Sequence, residues 1–386
     1  MFEGDRFRKS QEFGGWQWTT VAHRYPGTGT DMHWWSVARD GSLFFVDDDG
    51  YNFGRKWNFA HLLRSTGIPP DFQLEEVTDF PEIIRAADPL VNAPEPKGMK
   101  CRRYVDGALC VDDRLYVAVY DYDDYVPGLD DIFNMVNMVS PHGGVVRLIH
   151  SDDQGKTFQN VPGPEVGPED YFLGPRFAGL AFIGFGPGYT GLPADLDGYV
   201  YGISNDINYA TGDHIFLARA PRDRVLDRSA WKFWNGAGEG TFEQPQTWTS
   251  KEDATRPILR DPGRIGHPTM SYIAATDRFL LTYSTDRTPR LFNTDPAEWR
   301  RTWLKQTELL VLEAPRPWGP WRLVHHDPAW ETPHTAYLPQ VPTPWLDADG
   351  LGGWMVFSGD WNGDHGPDSY YGFMTRHFRF QRLEKK

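Results

Sequence analysis

A strand-building unit recurs along this chain, and the recurrence constrains the fold more than any other feature. Each copy opens with an Asp-bearing turn, continues as a short apolar strand and ends in a polar residue. The copies begin at Asp40-Gly41-Ser42-Leu43-Phe44-Phe45-Val46-Asp47, at Asp112-Asp113-Arg114-Leu115-Tyr116 and at Asp197-Gly198-Tyr199-Val200-Tyr201. Two more begin at Thr276-Asp277-Arg278-Phe279-Leu280 and at Asp349-Gly350, the last followed by Trp354-Met355-Val356-Phe357. Their spacing is roughly 70–85 residues, which implies long insertions within each unit. Helical periodicity is nearly absent, and Gly, Pro, Asp and Asn bound the apolar runs.

Third strands follow after a loop, as in Val146-Arg147-Leu148-Ile149-His150, His214-Ile215-Phe216-Leu217-Ala218 and Leu309-Leu310-Val311-Leu312. Five similar units of three to four strands predict an all-β, five-bladed β-propeller with four-stranded antiparallel blades. The whole of residues 1–386 then forms one domain. Its blades fall at roughly 31–95, 96–165, 170–245, 262–325 and 335–385. Gly14-Gly15-Trp16-Gln17-Trp18 would close the ring by adding a strand to the last blade.

Ser151-Asp152-Asp153-Gln154-Gly155-Lys156-Thr157-Phe158 resembles an Asp-box, the turn of sialidase-like propellers. Asp153 can accept backbone N–H bonds within such a turn, and Gly155 supplies positive φ. The motif speaks for the fold rather than for chemistry.

The formal net charge is −14 and no basic block is present, which argues against nucleic acid as a partner. No run of 18 apolar residues occurs, so no membrane span is expected. Met1-Phe2-Glu3-Gly4-Asp5-Arg6 lacks an apolar signal core. The chain is therefore expected to be intracellular, or secreted or periplasmic after loss of a signal. The 16 Trp suit sugar stacking and blade cores alike, with most assigned to the core. Cys101 and Cys110 flank a hairpin-like stretch. A turn at Val105-Asp106 would set them face to face, whereas a turn at Asp106-Gly107 would not, so both states stay open.

In a propeller the residues that open each innermost strand converge around the central channel. Those positions hold Thr30-Asp31-Met32-His33, Lys100 and Arg102, Arg176, His267, and Tyr337 with Gln340. They form a polar pocket suited to a site. The sharpest pair lies in the first unit. Strands 33–38 and 42–47 joined by Arg39-Asp40-Gly41 give opposed residue numbers that sum to 80, so Asp31 faces Asp49. Opposed Cβ atoms lie about 4.5–5.5 Å apart. Two carboxylates so close push one pKa up, which is what a glycosidase needs. Asp47-Asp48-Asp49-Gly50 also reads as a solvated turn, or as a turn near a structural cation such as calcium. Tyr120-Asp121-Tyr122-Asp123-Asp124-Tyr125 could line the same face or be plain loop. No zinc motif and no G-x-S-x-G elbow occurs, and no cofactor is expected.

Gly27-Thr28-Gly29-Thr30-Asp31 with Asp48-Asp49-Gly50, then Leu217-Ala218-Arg219-Ala220-Pro221-Arg222-Asp223 and Leu226-Asp227-Arg228-Ser229-Ala230-Trp231, carry a wider resemblance. So do Glu313-Ala314-Pro315-Arg316-Pro317-Trp318-Gly319-Pro320-Trp321 and Pro342-Thr343-Pro344-Trp345. In order, these segments resemble a five-bladed propeller family, formerly of unknown function, that includes endo-D-arabinofuranase glycoside hydrolases. The resemblance implies a paired-Asp hydrolase, with Asp31 and Asp49 similar in placement to the essential carboxylates. Family members tend to show Gly-Asp-Thr where this chain reads Asp47-Asp48-Asp49-Gly50.

These readings favour a hydrolase of an oligo- or polysaccharide, with Asp31 and Asp49 catalytic. His33, Asp48, Arg102, Arg176, His267 and Tyr337 would bind substrate. A lyase using His33, His267 or Tyr337 as base beside Arg102 or Arg176, and a carbohydrate-binding propeller without chemistry, are the alternatives.

Overall fold

In a computed structural model of the chain, the described residues are 7–55, 58, 60–80, 102–122, 143–162, 171–177, 179–206, 212–236, 248–286, 306–360 and 368–384. They form a five-bladed β-propeller. Blade one contains β3 (Thr28–Val37), β4 (Leu43–Asn52), β5 (His61–Thr66) and β6 (Gln73–Asp79), after β1 (Phe13–Trp18) and β2 (His23–Arg24). Blade two holds β7 (Arg102–Val111), β8 (Arg114–Tyr122) and β9 (Gly143–Ser151). Blade three holds β10 (Ala181–Phe182), β11 (Tyr199–Asn205), β12 (His214–Pro221), β13 (Lys232–Trp234), β14 (Trp248–Thr249) and β15 (Leu259–Arg260). Blade four runs β16 (Gly266–Ile273), β17 (Arg278–Asp286), β18 (Thr307–Ala314), β19 (Arg322–Trp330). Blade five is β20 (Ala336–Gln340), β21 (Gly352–Gly359) and β22 (Met374–Arg382). Both β1 and β2 pair antiparallel with β22, so the two ends of the chain meet in one blade. The blades are not uniformly four-stranded: blade two has three described strands and blade three has six.

The strands form where aromatic and β-branched residues can be buried on both faces. All ten residues of β3 and all eight of β16, β18 and β21 are buried. Most described tryptophans, among them Trp34, Trp231, Trp330 and Trp345, are core residues. Arg102–Val111 is one continuous strand paired with β8, so the expected Cys101–Cys110 hairpin does not form. Cys110 is a free buried thiol, and Cys101 lies outside the described residues. In the turn after β9, Asp153 accepts the Thr157 N–H at 2.9 Å and the Ser151 hydroxyl at 2.8 Å.

One irregularity recurs on the inner strands. β3, β7, β16 and β20 each break register by one residue against their neighbour, at Asp31/Trp34, Asp106/Ala108, Gly266/Thr269 and Tyr337/Gln340. Three of these bulges carry a non-glycine residue at positive φ: Met32 at 58°, His267 at 48° and Leu338 at 52°. In the fourth, a Cβ on Gly107 would stand 2.0 Å from the Leu180 carbonyl of the next blade, so only glycine fits. Such bulges bend a strand and re-aim its side chains.

Buried side chains then join blade to blade around the axis. Asp48 accepts the Val105 N–H at 3.0 Å, and Asp106 accepts the Leu180 N–H at 2.7 Å. Asn205 donates to the Ile265 carbonyl at 3.1 Å, and Ser271 to the Val341 carbonyl at 2.6 Å. Ser36 accepts the Cys110 N–H at 2.7 Å. Gln340 of β20 closes the ring by donating to the His33 carbonyl of β3. Because these groups are cut off from water, leaving one unmade would cost about 1–3 kcal/mol.

Candidate active site

The site grows from the first two strands of blade one. On the closed part of the β3–β4 ladder the numbers sum to 80, as in Trp34 opposite Val46 and Val37 opposite Leu43. The bulge at Met32-His33 then shifts the register, and Asp31 faces Asp48, not Asp49. This corrects the expected pairing. A compensating irregularity on β4 restores Thr30 opposite Gly50 and leaves Asp49 as the extra residue. A Cβ on Gly50 would lie 2.0 Å from the Gly29 carbonyl, and its φ is 139°, so glycine is required behind Asp49.

The three consecutive aspartates fall into three environments. Asp47 is fully buried, accepts the Thr30 hydroxyl at 2.8 Å and lies 3.0 Å from Nδ1 of His33. Asp48 is buried and bridges to blade two. Asp49 is half-buried. Strand alternation explains the first two, and the bulge explains the third.

Asp31 is 9% exposed and accepts the Tyr337 hydroxyl at Oδ2, at 2.8 Å. Its other oxygen, Oδ1, has no hydrogen-bond partner on another described residue. Burial raises the Asp31 carboxyl to about 7, although the Tyr337 bond and the His33 charge pull the other way. Asp48 is also pushed well up, by burial first and then by the charges of Asp31 and Asp49. Tyr371 donates its hydroxyl to the Asp49 carbonyl at 2.7 Å. Burial and the negative charges of Asp31 and Asp49 push both the Tyr337 and Tyr371 hydroxyls well above the usual phenol range. The two aspartates therefore act on the same pair of tyrosines, even though they are not register partners.

The other expected site residues separate. Tyr337 belongs to the cluster through Asp31. His267 packs its ring against Tyr337, with centroids 5.6 Å apart, and burial lowers it to about 3. It is neutral at any ordinary pH. His33 has no exposed surface and lies beneath the site, so its expected role as a substrate contact is withdrawn. Asp48 is likewise committed to an inter-blade bond rather than to a ligand. Arg176 donates to the Thr255 carbonyl, lies 4.0 Å from Glu252 and sits over the Phe216 ring of β12. β12 is the third strand outward from the axis, so the structure does not bring Arg176 to the carboxylates. Arg102 starts β7, but its side chain, like Lys100 and residues 123–125, lies outside the described residues. Tyr120 is a core residue.

Two contributors escaped the sequence reading. Tyr371 sits in Ser369-Tyr370-Tyr371-Gly372, just before β22, where aromatic residues next to glycine at a strand entrance are the one available signal. Asp106 is buried in the β7 bulge and raised to about 7 by burial. Among the described residues, no three His, Cys, Asp or Glu side chains are grouped to hold a metal ion. Among the described residues, no helix is long and apolar enough to cross a membrane.

Asp31 is thus a buried carboxyl raised toward neutrality, whose Oδ1 is itself buried and lacks a hydrogen-bond partner on another described residue.

The class defined so far is a five-bladed propeller with a carboxyl–tyrosine cluster at the entrance to its inner strands. Residues 20–349 match the family described as Domain of unknown function (DUF4185), and the chain belongs to that family. No curated protein matches it. Among solved structures it is similar to a Bacteroides ovatus protein provisionally assigned as a hydrolase, at 14% identity and TM-score 0.50, covering 94% of this chain and 87% of that one. It is also similar to a family-43 enzyme from Xanthomonas citri complexed with xylose, at 12% identity and TM-score 0.46, covering 95% and 91%. A third is the α-L-arabinofuranosidase from Podospora anserina in complex with cellotriose, at 8% identity and TM-score 0.44, covering 97% and 98%. At such identities the likeness to the first speaks to the fold alone.

Proposed function

We propose that this protein is a glycoside hydrolase acting on an oligo- or polysaccharide, with an arabinofuranose-type glycan as the first substrate to try. Asp31 is the general acid: Oδ1 delivers a proton to the departing glycosidic oxygen while Tyr337 steadies Oδ2. Asp49 is the ionised partner, acting as base toward water or as nucleophile. Asp48 holds blade two against blade one.

The observation that carries this reading is the environment of Asp31. It is a buried carboxyl held at about 7, with one oxygen anchored by Tyr337 and the other lacking a partner on another described residue. Among Asp47–Asp49, Asp49 alone is not buried, which supports it as the second carboxylate. The sequence resemblance to endo-D-arabinofuranases points to the same two residues.

The test is a panel of purified glycans, including arabinans, arabinogalactan and xylan, read for both new reducing ends and unsaturated products. Reducing ends from the wild type are expected. Asp31→Asn and Asp49→Asn should each lose about 10²–10⁴-fold, the usual contribution of a positioned acid or base. Full activity in either variant would refute the assignment. Unsaturated product would select a lyase, and binding without turnover would select a lectin-like role.

A further inference from the structure

The residue that ties the site together is not one that can touch substrate. His33 is fully buried, and its two ring nitrogens and its carbonyl each face a group from a different segment. Nδ1 lies 3.0 Å from the Asp47 carboxylate on β4. Nε2 lies 3.1 Å from the carbonyl of Gly372, in the segment that enters β22. Its own carbonyl on β3 accepts the Gln340 amide of β20. Both ring nitrogens thus lie close to oxygen atoms, an arrangement that favours the protonated ring. Burial opposes that charge, but Asp47 and the Gly372 carbonyl outweigh it.

The four segments that meet at His33, three through its ring and β20 through its carbonyl, are those that carry the proposed site. β3 bears Asp31, β4 bears Asp49, β20 bears Tyr337, and the segment before β22 bears Tyr371. The Gly372 carbonyl also accepts the Ser358 hydroxyl of β21, at 3.3 Å. His33 and Met32 are the residues of the β3 bulge, so the ring also holds the irregular backbone that re-aims Asp31.

We propose that His33 is a positioning residue: with its ring as a buried cation between Asp47 and Gly372 and its carbonyl held by Gln340, it clamps the four segments that carry Asp31, Asp49, Tyr337 and Tyr371, and so fixes the geometry and charge balance of the Asp31 carboxyl. The reading rests on the proposed role of Asp31, but its physical content does not require a known substrate. The charged and titratable groups around Asp31 are His33 on its own strand, Asp47 and Asp48 on β4, and Tyr337 on β20, with Tyr371 beyond them.

The test titrates Asp31 by carboxyl ¹³C resonance, assigned with Asp31→Asn, in the wild type, His33→Gln and Asp47→Asn. Ser271→Ala, which loosens a comparable buried contact between blades four and five, is the control. His33→Gln removes the nearby positive charge and should move the Asp31 midpoint upward by about 1 pH unit. Ser271→Ala should leave it in place. If His33→Gln does not fold, Asp47→Asn keeps the shape of the pair and removes its anion. Its His33 ring ¹⁵N signals should then show loss of the proton near neutral pH, and the Asp31 titration should shift. On any glycan the wild type hydrolyses, His33→Gln should lower kcat by roughly 10–100-fold with little change in KM. An Asp31 titration unchanged in the folded variants would overturn the proposal, even if Asp31→Asn abolishes hydrolysis. If no glycan is hydrolysed, the hydrolase reading fails while the titration still decides the clamp.

Discussion

Replacing Asp106 by Asn should make the protein more stable at pH 8 and leave it nearly unchanged below pH 4. Asp106 lies in the β7 bulge, is 2% exposed and accepts the Leu180 N–H at 2.7 Å. Burial raises its carboxyl from 3.8 to about 7. In the unfolded chain the group ionises near 3.8, and in the folded protein near 7. Between those values the folded state holds a proton that the unfolded state has lost, so stability falls as pH rises through that window. At about 1.4 kcal/mol per pH unit, the full loss is at most about 4 kcal/mol by pH 8. Asn is the same shape as the protonated acid, its oxygen can still accept from Leu180, and it cannot ionise. The stability gap between Asp106→Asn and wild type should therefore widen by about 3 kcal/mol from pH 4.5 to pH 8, measured by urea denaturation. With an unfolding entropy of about 2.1 cal/mol/K per residue, that equals about 4 °C in Tm for a chain of this length. A gap that stays constant across this range would refute the argument, because it would mean that Asp106 ionises in the folded protein as it does in the unfolded chain.

Tyr337→Phe removes a donor that favours ionised Asp31, so the alkaline limb of the hydrolysis profile should move to higher pH; a limb that stays or moves down would contradict this. Trp345 is fully buried and donates to the Gly67 carbonyl at 2.9 Å, so Trp345→Ala should cost about 3–5 kcal/mol in chemical denaturation. Cys110 is buried with its thiol pushed up to about 12, and native protein should show no alkylation there at neutral pH by intact mass, with reaction appearing on unfolding.

The architecture was legible because each unit writes the same local code: an Asp turn, then a strand that must bury both faces. Asp40 illustrates it, accepting the Ser42 N–H at 3.0 Å just before β4. Nothing local announced the bulges. Met32 and Leu338 are ordinary apolar residues at positive φ, held there by the surrounding sheet, so simple counting across the hairpin placed Asp31 opposite the wrong aspartate. His33 and Arg176 were misplaced for a related reason. A polar side chain at a strand entrance looks the same in sequence whether it points to the axis, into the layer below or out along the blade. Tyr371 was missed because ring closure brings it to Asp49 from the far end of the chain, 322 positions away. Within the aspartate triplet, counting singled out Asp49 as catalytic and Asp48 as a substrate contact, whereas alternation and the bulge bury Asp47 and Asp48 and leave Asp49 half-buried.

Proton donation by Asp31 requires that it hold a proton near neutral pH. Difference infrared spectra of wild type against Asp31→Asn, recorded at pH 6, would report the carboxyl stretch of Asp31 directly. A protonated-acid band present in the wild type and missing from the variant is the expected result. A carboxylate band from Asp31 at that pH would mean the buried acid has no proton to give.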